Sequence, residues 1–338
     1  MNTLVCTRPG FFEYKTADEP QISPDHSIIK IKRIGICGTD LHAFEGTQPY
    51  FEYPRILGHE LAGELVSIDN APGFRVGEAV TFVPYFSCGH CIACRNGKPN
   101  CCSQIKVCGV HQQGGMVEYL SVPSSSLIHG DGLSYDELAL VEPFSIGAHG
   151  VRRAAIVPGE FVLVVGVGPI GLASLVFARQ AGANIIALDI DENRLQFCRE
   201  TLQFTNALNA LDTNVMEQLH EITSGDMPTV VFDASGNLNA INEGFKYLAH
   251  GGRYILIGLQ KGEICFSHPE FHKREATLMS SRNATREDFE YVIAQMKSKQ
   301  INPKEFITTH VSFEKIKEEF DNWLAPGSRV IKAMVEIP

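Results

Sequence analysis

The sequence lacks any long uninterrupted apolar run and any excess of basic residues. Its 338 residues include 29 Lys or Arg and 39 Asp or Glu, which gives a formal net charge of -10. No apolar segment is long enough to cross a bilayer, and an acidic chain is not expected to bind nucleic acid or an anionic membrane as its main partner. The N-terminal stretch MNTLVCTRPGFFEYK lacks the basic and apolar regions of a signal peptide. We therefore expect a cytoplasmic protein, long enough for two domains.

The ten cysteines are not distributed like a disulfide framework. Five of them lie between Cys88 and Cys102, and such clustering in a long chain without a secretion signal favours metal ligation. The spacing C-x2-C-x2-C-x7-C predicts a lobe over residues 88–102 in which four thiolates close a structural zinc shell. The four predicted ligands are Cys88, Cys91, Cys94 and Cys102. Cys101 competes for the fourth position, and the x7 spacing favours Cys102. The remaining cysteines are expected to be buried thiols, namely Cys6, Cys108, Cys198 and Cys265.

The stretch GICGTDLH contains three side chains with complementary chemistry, and these three lie within a span of six residues. Cys37 offers a thiolate that can hold a metal, Thr39 a hydroxyl that can accept and pass on a proton, and His42 an imidazole that can carry the proton outward. The stretch is interpreted as a Gly-bracketed turn after an alternating strand. Asp40 is expected either to orient this loop or to be a simple turn residue.

Candidate partners for Cys37 follow later in the chain. His59 and Glu60 lie about two strands' length beyond it, a separation at which a β-domain can fold all three to one point. Glu142 is predicted at the end of an apolar helical stretch, just before Pro143 and the start of a new helix. A charge that emerges from an apolar segment normally needs a partner. A metal site and a helix cap both remain explanations for Glu142.

The second half of the chain contains a glycine-rich loop in the setting of a dinucleotide site. The apolar strand 160–165 runs into GVGPIG and then a helix, and the next strand ends in Asp189. The predicted cofactor contacts of the loop are Gly166, Gly168, Pro169, Ile170 and Gly171. Asp189 would bind the adenosine ribose hydroxyls and repel a 2′-phosphate, which favours NAD over NADP. Arg194 would flank the adenine or be an ordinary helix residue.

Strands alternate with helices through the rest of this half, which predicts a doubly wound parallel sheet. Its ligand crevice should lie at the carboxyl ends of the strands. The residues predicted at these ends, as neighbours of cofactor or substrate, are Ser235, Gly258, Leu259 and Arg282. Arg282 would pair with a substrate carboxylate, or contact cofactor or structure.

These motifs together resemble the zinc-dependent medium-chain dehydrogenases over essentially the whole chain. The resemblance is carried by GICGTDLH, LGHE, CGHCIACRNGKPNCC, VEPF and GVGPIG with Asp189. Glu142 stands where alcohol dehydrogenases carry a cysteine, so the chain is similar to the polyol and L-threonine dehydrogenase branch. The stretches YFEYPRILGHE, VCGVHQQGGMVEYL and HPEFHKREATLMSSRNAT look most like bacterial sugar-acid dehydrogenases of the L-galactonate and L-gulonate 5-dehydrogenase kind.

The resemblance implies an α/β protein with two domains. A GroES-like β-barrel catalytic domain would comprise residues 1–145 and 285–338, and a Rossmann NAD-binding domain residues 146–284. The active site would lie in the cleft between them, and the chain would form a homodimer or homotetramer with a small-molecule alcohol as its substrate.

The resemblance also implies a mechanism with two zinc ions per chain, one catalytic and one structural. Cys37 and His59 would bind the catalytic zinc, with Glu60 or Glu142 as the remaining ligand. A secondary alcohol of a polyol or sugar acid would lose its proton through Thr39, the nicotinamide ribose and His42, and its hydride to NAD, which gives a ketone. The alternative substrate is an amino alcohol such as L-threonine. The alternative of another class is a non-catalytic, NAD-binding regulatory protein.

Overall fold

The computed structural model describes residues 1–49, 51–325 and 327–338. The chain divides into two compact units, one formed by Met1–Ser145 with Asn283–Pro338 and the other by Ile146–Arg282. Within the described ranges, no helix is both long and apolar enough to cross a membrane.

The strands and helices are numbered here in chain order. The described strands are β1 (Asn2–Arg8), β2 (Phe11–Thr16), β3 (His26–Gly35), β4 (Arg55–Ile56), β5 (Glu60–Ile68), β6 (Ala79–Phe82), β7 (Tyr85–Phe86), β8 (Lys106–Val107), β9 (Tyr119–Pro123), β10 (Leu127–His129), β11 (Phe161–Val165), β12 (Asn184–Asp189), β13 (Ala207–Asn209), β14 (Val230–Asp233), β15 (Arg253–Leu256), β16 (Thr277–Ser280), β17 (Ile307–Ser312) and β18 (Lys332–Glu336). The described α-helices are α1 (Gly38–Glu45), α2 (Ile92–Arg95), α3 (Tyr135–Ala139), α4 (Val141–Ala154), α5 (Pro169–Gln180), α6 (Glu192–Glu200), α7 (Val215–Ile222), α8 (Leu238–Gly244), α9 (His268–Lys273), α10 (Arg286–Lys297) and α11 (Ile316–Leu324).

The first unit is built around the long strand β3. In its larger sheet the strands run in the order β10-β6-β5-β3-β18-β17, with β9 also paired to β3. The pairs of β3 with β5, β9 and β18 are all antiparallel. A smaller sheet has the order β2-β1-β4. The strand β18 near the end of the chain therefore lies beside the strand that leads into the Cys37 loop.

Aromatic side chains form part of the core of the first unit. The rings of Phe12, Phe44 and Phe320 have centroids 4.7 to 5.3 Å apart, and Trp323 lies 5.2 Å from Phe320. All four side chains are buried. They belong to β2, α1 and α11, so their burial ties the helix that follows Cys37 to the C-terminal part of the chain.

The second unit contains the predicted doubly wound sheet. Six strands, all parallel, have the order β13-β12-β11-β14-β15-β16. Strand β11 is a continuous apolar run with buried residues, as expected for a parallel strand covered on both faces. The strand order reverses between β11 and β14, and this is the position at which such sheets bind ligands.

Two local predictions differ from the structure. The stretch around Cys37 is not a simple turn, because helix α1 begins at Gly38 with Cys37 as its N-cap. Asp40 completes a capping box, and Gly46, at φ 83°, ends the helix. Glu142 does not end a helix but lies in the first turn of α4, where a carboxylate is favoured by the helix dipole.

The neighbours Phe11 and Phe12 offer a matched test of the aromatic core. Phe12 is 2% exposed and Phe11 is 51% exposed, below the guanidinium of Arg8. We expect Phe12→Ala to lower the free energy of unfolding by about 3 to 5 kcal/mol and Phe11→Ala by about 1 kcal/mol or less. Urea denaturation followed by the fluorescence of Trp323, the single tryptophan of the chain, reports on this core directly. Equal losses in the two variants would contradict the described packing.

Candidate active site and metal centres

Strand pairing brings the first three metal-ligand candidates together. Strands β3 and β5 are in register with Gly35 opposite Glu60, so the loop that carries Cys37 lies beside His59 and Glu60. One donor atom from each of Cys37, His59 and Glu60 lies within 4.8 Å of the other two. A Cβ atom at Gly35 would overlap the Glu60 carboxylate, which explains why glycine stands there.

Asp40 fixes the position of this loop relative to His59. Its carboxylate accepts hydrogen bonds from the backbone N–H groups of Cys37 and Gly58, each at 3.0 Å. Its Oδ1 also lies 3.8 Å from Nδ1 of His59. Burial raises the pKa of Asp40, and the charge of His59 acts in the opposite direction. The residue thus joins α1 to the segment that precedes β5.

His59 has the surroundings expected of a metal ligand. It is 5% exposed, and among the residues that the structure describes its Nδ1 atom finds no hydrogen-bond partner. Burial by itself lowers the pKa of His59, but the nearby Cys37 and Asp40 outweigh burial and raise the pKa well above its usual range. Sulfur, nitrogen and oxygen donors in such a buried group suit a zinc ion. The residues therefore fit a catalytic zinc.

Lys332 is a buried partner of Glu60 that the sequence analysis missed. Its ammonium group lies 2.7 Å from both carboxylate oxygens of Glu60 and donates to the carbonyl of Ile36 at 2.9 Å. Lys332 is 2% exposed and Glu60 is 0% exposed. Burial lowers the pKa of Lys332, but the charges of Glu60, Cys37 and Glu142 and the hydrogen bond to Glu60 together outweigh burial and raise the pKa above its usual value. A lysine within the apolar strand VIKAMVEI was the available signal.

Glu142 is held by Tyr85, a second residue that the sequence analysis missed. The Tyr85 hydroxyl donates a hydrogen bond to the Glu142 carboxylate, and the two side chains are 8% and 4% exposed. Burial raises the pKa of Glu142 to about 7, with His59 opposing the shift and Glu60 adding to it. Glu142 is outside the group of three donors that lie within 4.8 Å of one another. Nothing in the sequence near Tyr85 marked it as a partner of Glu142.

The four predicted cysteine ligands converge. The Sγ atoms of Cys88, Cys91, Cys94 and Cys102 all lie within 4.8 Å of one another. Backbone N–H groups of Cys88 and Gln104 point at the sulfur of Cys102 from 3.2 and 3.3 Å. The backbone N–H of Cys94 is the main cause that lowers the pKa of Cys91 to about 5. Four converging sulfurs with N–H donors around them fit a structural zinc.

The other cysteines divide into two groups. Cys6, Cys108 and Cys198 are buried, as predicted, and burial raises the pKa of each to about 12. The prediction is wrong for Cys265, which is exposed. Cys101, the competitor for the fourth ligand position, is also exposed.

The two predicted relay residues lie three positions apart on α1. Thr39 is half-buried and His42 is exposed. The Nδ1 atom of His42 is 3.2 Å from a Glu45 carboxylate oxygen and 3.3 Å from the Thr47 hydroxyl. His42 therefore lies where a proton can reach solvent.

In the second unit, the three glycines of the GxGxxG loop have different surroundings. Gly166 has φ 85°, and a Cβ there would lie 2.6 Å from the backbone of Ser235. A Cβ at Gly171 would overlap the carbonyl of Gly166. At Gly168, the N-cap of α5, a Cβ would meet only Nη1 of Arg194, at 3.8 Å, among the described atoms. Pro169 and Ile170 begin α5, so the loop and the helix N-terminus fit a pyrophosphate.

Asp189, the predicted ribose-binding residue, anchors this loop. Its Oδ2 accepts a hydrogen bond from the N–H of Val167 at 2.7 Å, and its Oδ1 accepts one from Asp191 at 2.9 Å. The Asp189 side chain is 5% exposed, and Nη1 of Arg194 lies 3.7 Å from Oδ2. The carboxylate is thus oriented by the backbone on both sides.

The neighbouring strand end is shaped by Asp233, which the sequence analysis did not single out. Its carboxylate accepts from the Ser235 hydroxyl at 2.7 Å and from the N–H of Gly236 at 3.1 Å. A Cβ at Gly258 would overlap Gly236, so two predicted residues, Ser235 and Gly258, lie beside each other. Burial raises the pKa of Asp233 to about 6.

The last two predicted residues are exposed. Leu259 follows Gly258 and is 57% exposed. Arg282 lies two residues beyond the end of β16, as the last residue of the second unit.

Comparison with known proteins identifies the family. Residues 23–131 match the family model described as Alcohol dehydrogenase GroES-like domain, and residues 169–298 match the one described as Zinc-binding dehydrogenase. The chain is 42% identical to L-galactonate-5-dehydrogenase of Escherichia coli K12, over 99% of this chain and 98% of the relative. It is 32% identical to sorbitol dehydrogenase of Halalkalibacterium halodurans, over 91% and 92% of the two chains.

A solved structure agrees with these relatives. The short chain alcohol dehydrogenase RspB of Escherichia coli CFT073, in complex with NADH, superposes with a TM-score of 0.93 at 28% identity and covers 100% of this chain and 99% of that one. The resemblance and the fold class predicted from the sequence are thereby confirmed. The chain belongs to the zinc-binding alcohol dehydrogenases, which are enzymes that act on CH–OH groups.

Proposed function

We propose that this enzyme oxidises a secondary alcohol of a sugar acid or polyol to a ketone, with L-galactonate or L-gulonate as the first candidate substrates and NAD as the hydride acceptor. The proposal is carried by the convergence of Cys37, His59 and Glu60 donor atoms within 4.8 Å. The 42% identity to an L-galactonate-5-dehydrogenase over nearly the whole chain supports the substrate class. Residues 1–145 and 285–338 would form the catalytic domain, and residues 146–284 the NAD-binding domain.

Two zinc sites are part of the proposal. Cys37, His59 and Glu60 would hold the catalytic ion, and the four cysteines of residues 88–102 the structural one. A zinc ion at the first site would supply a Lewis acid that makes an alcohol hydroxyl acidic near neutral pH. The Lys332 ammonium, 2.7 Å from Glu60, keeps this carboxylate compensated and oriented. Glu142 would stay beside the site as a further acceptor.

The chain's own residues would bind the substrate and remove its proton. Thr39 would accept the hydroxyl proton, and His42 would release it to solvent through its exposed edge beside Glu45 and Thr47. Arg282 would bind the carboxylate of a sugar acid. An amino alcohol such as L-threonine would instead require an acidic partner for its ammonium group.

The cofactor would bind to the second unit. The backbone N–H groups of Gly168 and Ile170 lie at the start of α5, whose first residue, Pro169, has no N–H to donate. A pyrophosphate is favoured at such a helix N-terminus. Asp189 would accept hydrogen bonds from the hydroxyls of the adenosine ribose, and Arg194 would lie beside the adenine. The negative charge of Asp189 would disfavour the 2′-phosphate of NADP. Ser235, Gly258 and Leu259 would line the nicotinamide side.

A homodimer through β16 would complete the assembly. This strand ends the six-stranded sheet, and three of its four residues are exposed. Its sequence TLMS has neither charge nor proline to blunt the edge. Antiparallel pairing of two copies of one edge strand generates a two-fold axis, which is the commonest symmetry of oligomers. The location would be cytoplasmic, since none of the ten cysteines is in a disulfide.

The proposed substrate and catalytic metal can be tested together. We expect NADH formation with L-galactonate or L-gulonate, weaker activity with polyols and L-threonine, and a preference for NAD over NADP. Metal analysis should give two zinc ions per chain. Cys37→Ser should lose one zinc and at least about 100-fold in turnover, because even the supporting residues of a metal site are worth 10 to 100-fold. The assay is NADH absorbance, with metal content measured on the same samples.

Cys265→Ser is the matched control, since this cysteine is exposed and distant in sequence from both clusters. It should keep both zinc ions and the wild-type rate. Wild-type turnover in the Cys37→Ser variant would refute the catalytic-zinc assignment. A higher kcat/KM for L-threonine than for every sugar acid and polyol would favour the amino-alcohol alternative. No NADH with any alcohol would favour a non-catalytic NAD-binding protein.

The proposed dimer can be tested with a charge on the edge strand. Leu278→Glu places a charge on the exposed edge strand, and we expect the molar mass in solution to fall from at least twice 37.2 kDa to that of one chain. Leu211, which is 72% exposed in the same unit, provides the control variant Leu211→Glu, whose mass should stay that of wild type. Light scattering coupled to gel filtration measures the molar mass of each variant. An unchanged mass of Leu278→Glu would exclude β16 as the interface.

A further inference from the structure

Two carboxylates near Cys37 and His59 are held by different hydrogen-bond donors. Glu60 is ion-paired with Lys332 and belongs to the group of donor atoms within 4.8 Å of one another. Glu142 accepts a hydrogen bond from the hydroxyl of Tyr85 and does not belong to this group of donor atoms. Both side chains are buried, so neither carboxylate can turn to solvent. The Tyr85 hydroxyl therefore contributes to where the Glu142 oxygens point.

Tyr85 is itself held firmly from two directions. It lies on β7, which pairs with β8 through Tyr85 and Val107. These two short strands flank the four-cysteine lobe, because β7 ends just before Cys88 and β8 begins just after Cys102. The ring of Tyr85 meets that of Phe289 edge-on, with centroids 6.3 Å apart. A donor fixed by a strand ladder and by ring packing is suited to position an acceptor.

We propose that Tyr85 is a positioning residue that holds Glu142 outside the metal-ligand set and so leaves the fourth coordination position to the substrate. This inference rests on the proposed function. A catalytic zinc site keeps three protein ligands and one open position. A carboxylate that reached the ion as a fourth protein ligand would close the site, as four protein ligands do in structural sites. The hydrogen bond from Tyr85 competes with that movement.

Removal of the hydroxyl should therefore tighten metal binding while it weakens substrate binding. In Tyr85→Phe the ring can keep its contact with Phe289, but Glu142 loses its donor and can turn towards the ion. We expect the catalytic zinc to withstand about tenfold more competing chelator, equivalent to about 1.4 kcal/mol. The KM for the alcohol should rise several-fold, with a smaller effect on kcat.

The decisive readout is the zinc retained per chain after dialysis against graded concentrations of dipicolinate. It is measured for wild type, Tyr85→Phe, and Tyr85→Phe combined with Glu142→Gln, whose neutral amide is a poor zinc ligand. The double variant should lose the gain in zinc retention. Cobalt-substituted samples provide a second readout, since an added oxygen ligand at the Cys37 site shifts the visible absorption bands.

Tyr254→Phe is the matched control. Tyr254 is fully buried in the second unit, and its hydroxyl donates to the carbonyl of Ile241 at 3.0 Å. This variant loses a buried phenol hydrogen bond at comparable structural cost, so its zinc retention and KM should equal those of wild type. A similar change in Tyr254→Phe and Tyr85→Phe would attribute the effect to general destabilisation and overturn the positioning role.

The outcomes separate this inference from the proposed function. If wild type holds two zinc ions and oxidises alcohols while Tyr85→Phe retains zinc no better, or worse, than wild type, the positioning role is refuted and the proposed function stands. A gain in zinc retention that persists with Glu142→Gln also refutes it, because the gain would not come from Glu142. If wild type holds no zinc that depends on Cys37, the proposed function itself fails.

Discussion

The ion pair between Lys332 and Glu60 joins residues 272 positions apart, and both side chains are almost completely inaccessible to solvent. Buried carboxylates are costly unless a partner compensates them, and Asp40 and Glu142 are buried in the same region. Breaking a buried ion pair by removing one partner costs about 3 to 5 kcal/mol. The candidate metal site consequently depends on β18, which brings the lysine to β3 only when the C-terminal part of the chain has packed.

Each buried acid of this region has a different kind of donor. Glu60 accepts from the Lys332 ammonium, Glu142 from the Tyr85 hydroxyl, and Asp40 from two backbone N–H groups. The difference matters because only one of these donors carries a full charge. Glu60 faces a cationic partner, whereas Glu142, whose pKa burial raises to about 7, has a neutral one. The chain thus sets apart two chemically identical side chains before any metal binds.

The sequence sufficed for the parts of the site that depend on local spacing. The four cysteines and the glycine loop are defined within short segments, so their chemistry could be predicted without knowledge of the fold. Tyr85 and Lys332 could not be predicted in this way, because their roles arise from strand pairing and from packing between distant segments. The capping box of Asp40 explains why a stretch interpreted as a turn begins a helix. The parallel sheet of the second unit followed the hydrophobic pattern expected from the sequence, since that pattern depends on the burial of both faces of the strand.

The same reasoning applies to the second unit, where acids at two strand ends hold the glycine-rich loop and the segment beside it. Asp189 at the end of β12 accepts a hydrogen bond from the N–H of Val167. Asp233 at the end of β14 accepts hydrogen bonds from the Ser235 hydroxyl and the N–H of Gly236. The glycines of the loop permit close approach of the backbone, but they do not select one conformation, because glycine is the most permissive residue. The two carboxylates reduce that freedom by fixing neighbouring N–H and O–H groups. A glycine motif therefore indicates where a phosphate can approach, while the hydrogen bonds accepted by Asp189 and Asp233 hold the backbone in and beside the loop.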